Sequence, residues 1–433
     1  MLKAKFISLL IVLILNSASI ILLNPVSSEN INLSNKYNNI YDDSQHIIQG
    51  VPYVHQRNMY CHFASITMIC QYYGINTTQD EVSHICGVGY STASLPKIID
   101  RPFIGPPYNS QAWAGFEVSH GDDDLRFLSI LYGLTYKCHQ PKTSEEYWHI
   151  TKQYLKNDIP IITWLDASVI PDYNLSTNIF TMLICGHSIV IVGFNESNST
   201  VCFNNPGLGE ENGSYQFLDL NTFLKGVSFV ILDNNNYPLR NTIKVFEKID
   251  KPLPRDIAYK LVHQRNIERI KGNPQAYDQK LIQENFHKTG VNSIKSIKTT
   301  FKPINFLINY IPKIPIYKVF NLIVKTLSNI PYDYPFTDII LSFRWIYNEK
   351  QIISQYLFEN KNISPICEND AILLELESKY WANITSLTEN LNNIVKNNCG
   401  LLKIFFLSKP ILEEIIETFD HIVLIEELII ASN

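Results

Sequence analysis

The chain has 433 residues, of which 45% are hydrophobic and 18% charged, a globular composition long enough for two ordinary domains. The formal net charge of -5, without a cluster of Lys and Arg interleaved with aromatic residues, argues against nucleic acid as a partner. The eight cysteines include no CxxC pair, which argues against a zinc finger or a dense disulfide scaffold, and we expect no metal or cofactor.

The first 28 residues have the layout of an export signal. Lys3 and Lys5 precede a long apolar run, and small residues such as Ser27 and Ser28 follow it. We therefore expect residues 1–28 to be a signal peptide or, if they are not cleaved, an N-terminal membrane anchor. The rest of the chain is then expected outside the cytoplasm, either secreted or tethered to the membrane.

The segment 45–240 alternates short β-rich runs with helical stretches, which predicts an α+β domain. Apolar, β-branched runs bounded by turn residues predict strands at IPIITWL, HSIVIVGF, STVCFNN and VSFVILD. Apolar residues at helical spacing predict helices at CHFASITMICQYYG, DDDLRFLSILYG and SEEYWHITKQYLKN. Ser144 is the expected N-cap of the last of these helices.

After residue 250 the pattern becomes helical, which predicts a second domain over residues 250–433. Apolar residues recur three and four positions apart at Leu373, Leu376, Tyr380, Ile384, Leu387, Leu391 and Ile394, and again at Ile411, Ile415, Phe419 and Ile422. The apolar run over residues 306–324 is interrupted by Pro312, Lys313, Pro315 and Lys318, so a core or interface helix is favoured there over a membrane span.

Cys61 stands at the expected start of the first helix. Unpaired N–H groups and the positive end of the helix dipole would stabilise a thiolate there, and the thiolate is the nucleophilic form of cysteine. Gln56 lies a few residues upstream, where its amide N–H and the Cys61 backbone N–H can both donate to a developing oxyanion. A cysteine alone would be interpreted as a small buried hydrophobic residue.

A second set of polar residues changes that interpretation. His187 opens a β-branched strand, a turn rich in Asn and Ser follows, and a second strand leads to Asn204 and Asn205 just before Pro206. Such a hairpin brings a histidine and an amide together. The histidine can then accept the thiol proton, while the Asn side-chain oxygen accepts the other ring N–H and fixes the tautomer.

At these residues the chain resembles the C39-like branch of the papain-like cysteine peptidases. The motifs VPYVHQRNMYCHFASITMICQYYG, GHSIVIVGF, VCFNNPG and FLDLNTFLKG carry the resemblance. It implies a central antiparallel sheet, hydrolysis of a peptide or amide substrate, and four site residues. Cys61 would be the nucleophile, His187 the general base and acid, Asn205 the residue that orients His187, and Gln56 a donor to the oxyanion.

The sequence departs from the family pattern at several positions. His62 and Phe63 follow the nucleophile where small residues are usual, Cys185 replaces a common glycine, and Asn205 stands where Asp is more usual. The loop over residues 87–116 is rich in Gly, Pro and aromatic residues and is a candidate wall of the substrate groove, through Tyr108, Trp113 and Phe116.

Two other functions stay open. The insertion before His187 and the helical C-terminal half are similar to acyltransferases of the butirosin biosynthesis protein H type, which use the same Cys-His pair to move an acyl group from a carrier thioester to an amine. An export signal argues against that activity because acyl-carrier substrates are cytoplasmic. The third hypothesis is an inert binding module, in which Cys61 would form a disulfide with Cys70, Cys86 or Cys138.

Overall fold

The structure is a computed structural model that describes residues 44–57, 60–90, 93–94, 104–105, 121–170, 186–228, 241–273, 288–295, 298, 337–396 and 401–431. It has a seven-stranded antiparallel sheet with helices packed on it, followed in the chain by a helical region. The predicted α+β class, with a central antiparallel sheet and a helical C-terminal region, is confirmed.

The strands of the described residues form two sheets. In chain order they are β1 (Gln45–Ile47), β2 (Ala93–Ser94), β3 (Ile104–Gly105), β4 (Leu134–His139), β5 (Ile161–Asp166), β6 (Gly186–Asn195), β7 (Thr200–Asn204), β8 (Gln216–Asp219), β9 (Ile243–Lys248) and β10 (Lys288–Thr289). The larger sheet has the order β4-β9-β5-β6-β7-β8, and β1 pairs with β6 outside this path. The smaller sheet has the order β10-β2-β3.

The centre of the large sheet is apolar because β5, β6 and β7 carry runs of β-branched and aromatic residues, which fit a pleated, buried surface. Every residue of β5 is buried except its last, Asp166. The predicted strands IPIITWL, HSIVIVGF and STVCFNN are confirmed by these three elements, apart from one or two terminal residues. The turn over residues 196–199 joins β6 to β7, as the Asn- and Ser-rich sequence predicts.

The helices are found on both sides of the predicted boundary near residue 250. They are α1 (Cys61–Tyr72), α2 (Gln79–Ile85), α3 (Gly121–Leu131), α4 (Ser144–Leu155), α5 (Glu210–Gly213), α6 (Leu220–Ser228), α7 (Arg255–Lys271), α8 (Thr337–Glu359), α9 (Pro365–Lys396) and α10 (Leu401–Ala431).

Helix α1 is buried more completely than its sequence pattern predicts. Its residues from Cys61 to Cys70 are all buried, whereas an amphipathic helix would leave one face in solvent. The reason is that α1 packs against β6 on one side and against α2 on another. The start of α1 is therefore held rigidly beside β6.

Three local features differ from the sequence predictions. The N-cap of α4 is Thr143 rather than Ser144, because the Thr143 hydroxyl accepts the Glu146 N–H at 3.1 Å. Val227 and Ser228, predicted as the start of a strand, end α6, where Val227 continues a buried face. Strand β9 was not predicted, and it lies between β4 and β5 in the sheet.

The C-terminal helices pack on the sheet domain as well as on one another. Ile353, Leu374 and Ile425 belong to the same buried core as the sheet. A second core is formed among α8, α9 and α10, where the ring of Trp381 contacts those of Phe343 and Phe419. The residues from Ser44 onward form one compact unit, and the division into domains 45–240 and 250–433 stays a prediction.

Some predicted features lie outside the described residues. These are the segment 1–28, Cys185, the apolar run 306–324, and the aromatic residues Tyr108, Trp113 and Phe116 of the proposed groove wall. Within the part of the chain that the structure describes, no helix combines the length and the apolar character that a membrane crossing requires.

Strand β6 contains a one-residue bulge that provides a test of the fold. The pairing of β6 with β7 shifts between Ile191 and Gly193, and β1 crosses close to Gly193. A Cβ at Gly193 would lie 2.5 Å from the His46 carbonyl oxygen, so β1 or the bulge would have to move.

We expect Gly193→Ala to lower the free energy of unfolding by about 1–3 kcal/mol through overpacking. Urea unfolding measures this change. Gly209→Ala is the control, because a Cβ there would meet nothing within 4 Å and the Gly209 φ of -61° suits any residue. Equal stability of the two variants would contradict the close approach of β1.

Candidate active site

Cys61 is the first residue of α1 and is buried, with 3% of its surface exposed. Its position places the thiol where the first-turn N–H groups of the helix have no acceptor inside the helix and the helix dipole is positive. The Sγ accepts a hydrogen bond from the Ser188 backbone N–H at 3.5 Å. A donor to the sulfur favours the thiolate over the thiol.

His187 is the second residue of β6, directly before Ser188, and it pairs with Leu165 of β5. The strand therefore brings the imidazole to the same end of the sheet as the Cys61 thiol. The ring Nε2 lies 2.7 Å from the Asn205 Oδ1, and both side chains are buried. The structure thus brings together three of the predicted site residues.

The orientation of the Asn205 amide determines which ring nitrogen of His187 carries the proton. Asn205 Oδ1 accepts the Gly207 backbone N–H at 3.0 Å, which identifies this end of the amide as the oxygen. The His187 Nε2 must then be the donor, and Nδ1 carries the lone pair. This tautomer leaves Nδ1 able to accept a proton.

Asn204 and Asn205 have different surroundings. The Asn204 Oδ1 accepts the backbone N–H of Tyr215 at 2.8 Å, so this side chain supports the segment before β8. Asn205 follows the last residue of β7, and its own N–H donates to the Gly213 carbonyl at 2.7 Å. Of the two asparagines, it is therefore Asn205 that contacts the histidine.

Gln56 lies on the segment that precedes α1 and is partly buried. Its backbone N–H donates to the Pro206 carbonyl at 2.9 Å, which ties this segment to the loop that follows Asn205. Its Oε1 is buried and has no hydrogen-bond partner among the described residues. The backbone of Gln56 is thus fixed close to the loop that holds the histidine.

A buried polar network behind Cys61 was not predicted from the sequence. The His62 Nδ1 lies 3.4 Å from the Ser188 Oγ, which donates to Ser65 Oγ at 3.2 Å. The His62 ring also packs on Trp164, with ring centroids 5.4 Å apart. The polar residues His62 and Ser65 within an apolar helix are the only sequence signal for it. The network supports the strand position next to His187.

Both histidines near Cys61 are neutral at physiological pH. Burial lowers the pKa of His187 to about 4, and the hydrogen bond to Asn205 opposes part of that shift. Burial also lowers the pKa of His62 well below its ordinary value, and the charge of Lys244 adds to the effect. A neutral His187 with its Nδ1 lone pair has the form that a general base requires.

The cysteines of the described residues are not in disulfides. They are Cys61, Cys70, Cys86, Cys138, Cys202 and Cys367. Cys61 therefore forms no disulfide with Cys70, Cys86 or Cys138, the pairing that would indicate an inert module. Among the residues that the structure describes, no group of three or more His, Cys, Asp and Glu side chains could hold a metal ion.

The sheet topology and the buried Cys-His-Asn arrangement are those of a cysteine-peptidase-like domain. Residues 48–234 match the Peptidase_C39 like family, which confirms the resemblance predicted from the motifs. The match covers less than half of the 433 residues, and the helical region after residue 250 lies outside it. A comparison with curated proteins gave no match to the chain.

We expect the His187 imidazole to stay neutral down to about pH 5, because burial lowers its pKa from 6.5 to about 4. Histidine-ring NMR over a pH series measures the midpoint. Asn205→Ala should lower this midpoint further, since the hydrogen bond from the ring to Asn205 raises the pKa. Asn204→Ala is the control and should leave it unchanged. A wild-type midpoint near 6.5 would contradict the burial of a neutral ring.

The same shift has a consequence for stability. Because the folded-state pKa of His187 lies below 6.5, its contribution to stability is complete above pH 6.5 and is lost as the pH falls from 6.5 through about 4. The stability at pH 5 relative to that at pH 7, measured by urea unfolding, should therefore be higher in His187→Gln than in the wild type, because Gln does not titrate.

Proposed function

We propose that the chain is an exported thiol hydrolase of the C39-like type that cleaves a peptide or amide bond through an acyl-enzyme on Cys61. One observation carries this proposal: His187 is held by Asn205 at 2.7 Å while the N–H of the next residue, Ser188, contacts the Cys61 Sγ at 3.5 Å. A thiol, a base and a group that orients the base are the parts that nucleophilic cysteine catalysis needs.

The proposed first half of the reaction forms a thioester. His187 Nδ1 accepts the proton of the Cys61 thiol, and the sulfur attacks the carbonyl carbon of the substrate, so that a C–S bond forms and the carbonyl oxygen becomes an oxyanion. When the oxyanion collapses, the C–N bond breaks and the amine leaves with the proton from His187. Asn205 keeps the imidazolium oriented by accepting its Nε2–H throughout.

The second half returns the enzyme to its starting state. Water attacks the thioester carbonyl while His187 accepts a proton from it, and the C–S bond breaks to release the carboxylic acid and the Cys61 thiolate. The proton on His187 then returns to the sulfur. The same thioester would be transferred to an amine in an acyltransferase, so the two candidate activities differ only in the acceptor.

The oxyanion needs hydrogen-bond donors at the start of α1. Cys61 is the first residue of that helix, and Gln56 is held in the preceding segment by its bond to Pro206. We propose that the Gln56 side-chain N–H donates to the oxyanion together with the Cys61 backbone N–H. The partly buried location of Gln56 excludes some of the water that would weaken such a bond.

The proposed location rests on the sequence of the first 28 residues. Lys3 and Lys5 before the apolar run support export, with either cleavage after the segment or a membrane tether through it. A peptide or amide outside the cytoplasm would then be the substrate. The net charge of -5 supports no role for nucleic acid.

A thiol-reactive probe tests the proposal directly. We expect an electrophilic probe to label the folded wild type rapidly at one thiol, found by peptide mass spectrometry, and this labelling to be lost in Cys61→Ser. Cys202→Ser is the matched control, because Cys202 is buried in β7 and burial raises its pKa to about 12. Cys202→Ser should therefore keep the labelling.

A substrate panel then separates the three functions. Peptides, simple amides, and acyl thioesters with and without an amine acceptor are offered to the wild type and to Cys61→Ser. Cys61-dependent hydrolysis of peptides or amides supports the proposal. Transfer from the thioester to the amine without hydrolysis would assign an acyltransferase instead, and a folded protein without a reactive thiol would assign an inert module.

We expect Gln56→Ala to lower turnover by about a hundredfold to a thousandfold, the usual cost of removing one oxyanion donor. Alkylation of Cys61 by a simple electrophile forms no oxyanion, so its rate should stay unchanged. Gln49→Ala is the control, because Gln49 is exposed and bonds only locally to the Ile47 carbonyl. Equal slowing of turnover and alkylation would show that Gln56 supports the helix start instead.

A further inference from the structure

A cavity of about 830 Å³ lies between the segment before Cys61 and the C-terminal helices. Arg57 and Tyr60 line one side, and residues of α8 and α9 line the other. Tyr60 is the residue directly before Cys61, and neighbouring Cα atoms are about 3.8 Å apart. The wall of this cavity therefore begins next to the nucleophile, although most of its lining comes from residues far away in the sequence.

Glu349 of α8 is a carboxyl group in this cavity that has no partner among the described residues. It is 1% exposed, and neither of its carboxyl oxygens has a hydrogen bond there. The neighbouring Lys350 contacts Glu377 at 2.8 Å and the Gly89 carbonyl at 2.8 Å. Burial raises the pKa of Glu349 well above its ordinary value, and the charge of Lys350 offsets only part of that shift.

The other charged side chains of the lining have partners outside the cavity. Arg57 pairs with Asp80 at 2.6 Å, and Arg344 pairs with Glu389 at 2.5 Å. Glu375 pairs with Lys379 at 2.8 Å. Glu349 is thus the lining group whose burial is not compensated within the described structure, and a buried polar group without a partner is costly.

The position of Glu349 connects the cavity to the catalytic segment. Burial raises the pKa of Tyr60 well above its ordinary value and the charge of Glu349 adds to that shift, so the Glu349 carboxyl group lies near enough to Tyr60 to act on it electrostatically. Trp345 and Ile352 of α8 contribute apolar surface to the lining, and Asn348, Gln351 and Gln355 of the same helix contribute uncharged polar groups. The cavity therefore combines one buried carboxyl group that has no partner among the described residues with a wall of mixed apolar and uncharged polar side chains, which suits a ligand that has an aliphatic stem and a cationic end.

We propose that this cavity binds a primary amine or guanidinium of the substrate, with Glu349 accepting its N–H groups, so that the preferred substrate carries a Lys- or Arg-like side chain beside the bond that Cys61 attacks. The position of that side chain beside the attacked bond rests on the proposed function, whereas binding of the cation in the cavity does not. An entering cation would supply the missing partner and ionise the Glu349 carboxyl group, and a neutral isostere would leave that group unpaired.

Binding tests the inference without catalysis. In a Cys61→Ala background, calorimetry compares Nα-acetyl-lysine amide with Nα-acetyl-norleucine amide, which lacks the amine. We expect the lysine probe to bind more tightly and Glu349→Gln to weaken its binding by about tenfold to a hundredfold, with little change for norleucine. Glu375→Gln is the control, since it removes a carboxyl group at the same cavity that is already paired, and both affinities should stay unchanged.

Turnover provides the second readout. On peptides that differ only in Lys or norleucine beside the scissile bond, Glu349→Gln should lower kcat/KM for the Lys peptide and leave that for the norleucine peptide unchanged. Absence of any reactive thiol would overturn the proposed function while the binding comparison still tests the cavity. Normal labelling and hydrolysis with no preference for lysine would overturn this inference alone.

Stability distinguishes a ligand-binding carboxyl group from a structural one. If Glu349 is unpaired in the free protein, Glu349→Gln should keep or raise the urea midpoint, because Gln has no ionised form that must be neutralised or buried when the chain folds. A lowered midpoint together with unchanged affinity for the lysine probe would mean that the chain itself pairs Glu349, and it would overturn the proposal.

Discussion

The one-residue bulge in β6 determines which of the two asparagines, Asn204 or Asn205, can form a hydrogen bond with the His187 ring. Without the bulge, the pairing of β6 with β7 that begins at Asn195 and Thr200 would place Asn204 opposite Ile191. Because side chains alternate along each strand, Asn204 would then lie on the same face of the sheet as His187. The extra residue at Val192 shifts the pairing by one position, so that Asn204 pairs with Val190 instead. The side chain of the next residue, Asn205, therefore lies on the same face of the sheet as His187. The 2.7 Å contact between His187 and Asn205 depends on that shift.

Burial sets the electrostatic character of the site. The low pKa of His187 means that a preformed imidazolium does not stabilise a thiolate in the free protein. The Ser188 N–H and the start of α1 provide uncharged donors to the sulfur instead. In the proposed reaction His187 therefore becomes charged only when it takes the thiol proton, and that charge would arise beside the oxygen of Asn205, which the Gly207 N–H holds in place.

The sequence predicted the local parts of this structure better than the distant ones. The starts of α1 and β6 were predicted because helix and strand periodicity and turn residues are local signals. The choice between Asn204 and Asn205 depends on a bulge, and the place of β9 between β4 and β5 depends on pairing with strands about a hundred residues earlier. The cavity at Glu349 was beyond prediction for the same reason, since it forms only when α8 packs beside Tyr60.

The packing of α8 beside Tyr60 gives the two halves of the chain different positions around the candidate site. The proposed nucleophile, base and orienting amide all come from α1, β6 and the end of β7, which lie inside the region that matches the C39-like family. Most of the wall beside them comes from α8 and α9, outside that region. A catalytic arrangement needs rotamers fixed by a rigid sheet, whereas a wall made from helical positions outside the sheet can change its charge at little cost to the sheet core. If the chain has the proposed activity, the C-terminal helices are therefore where its substrate preference can vary while the proposed chemistry at Cys61 stays the same.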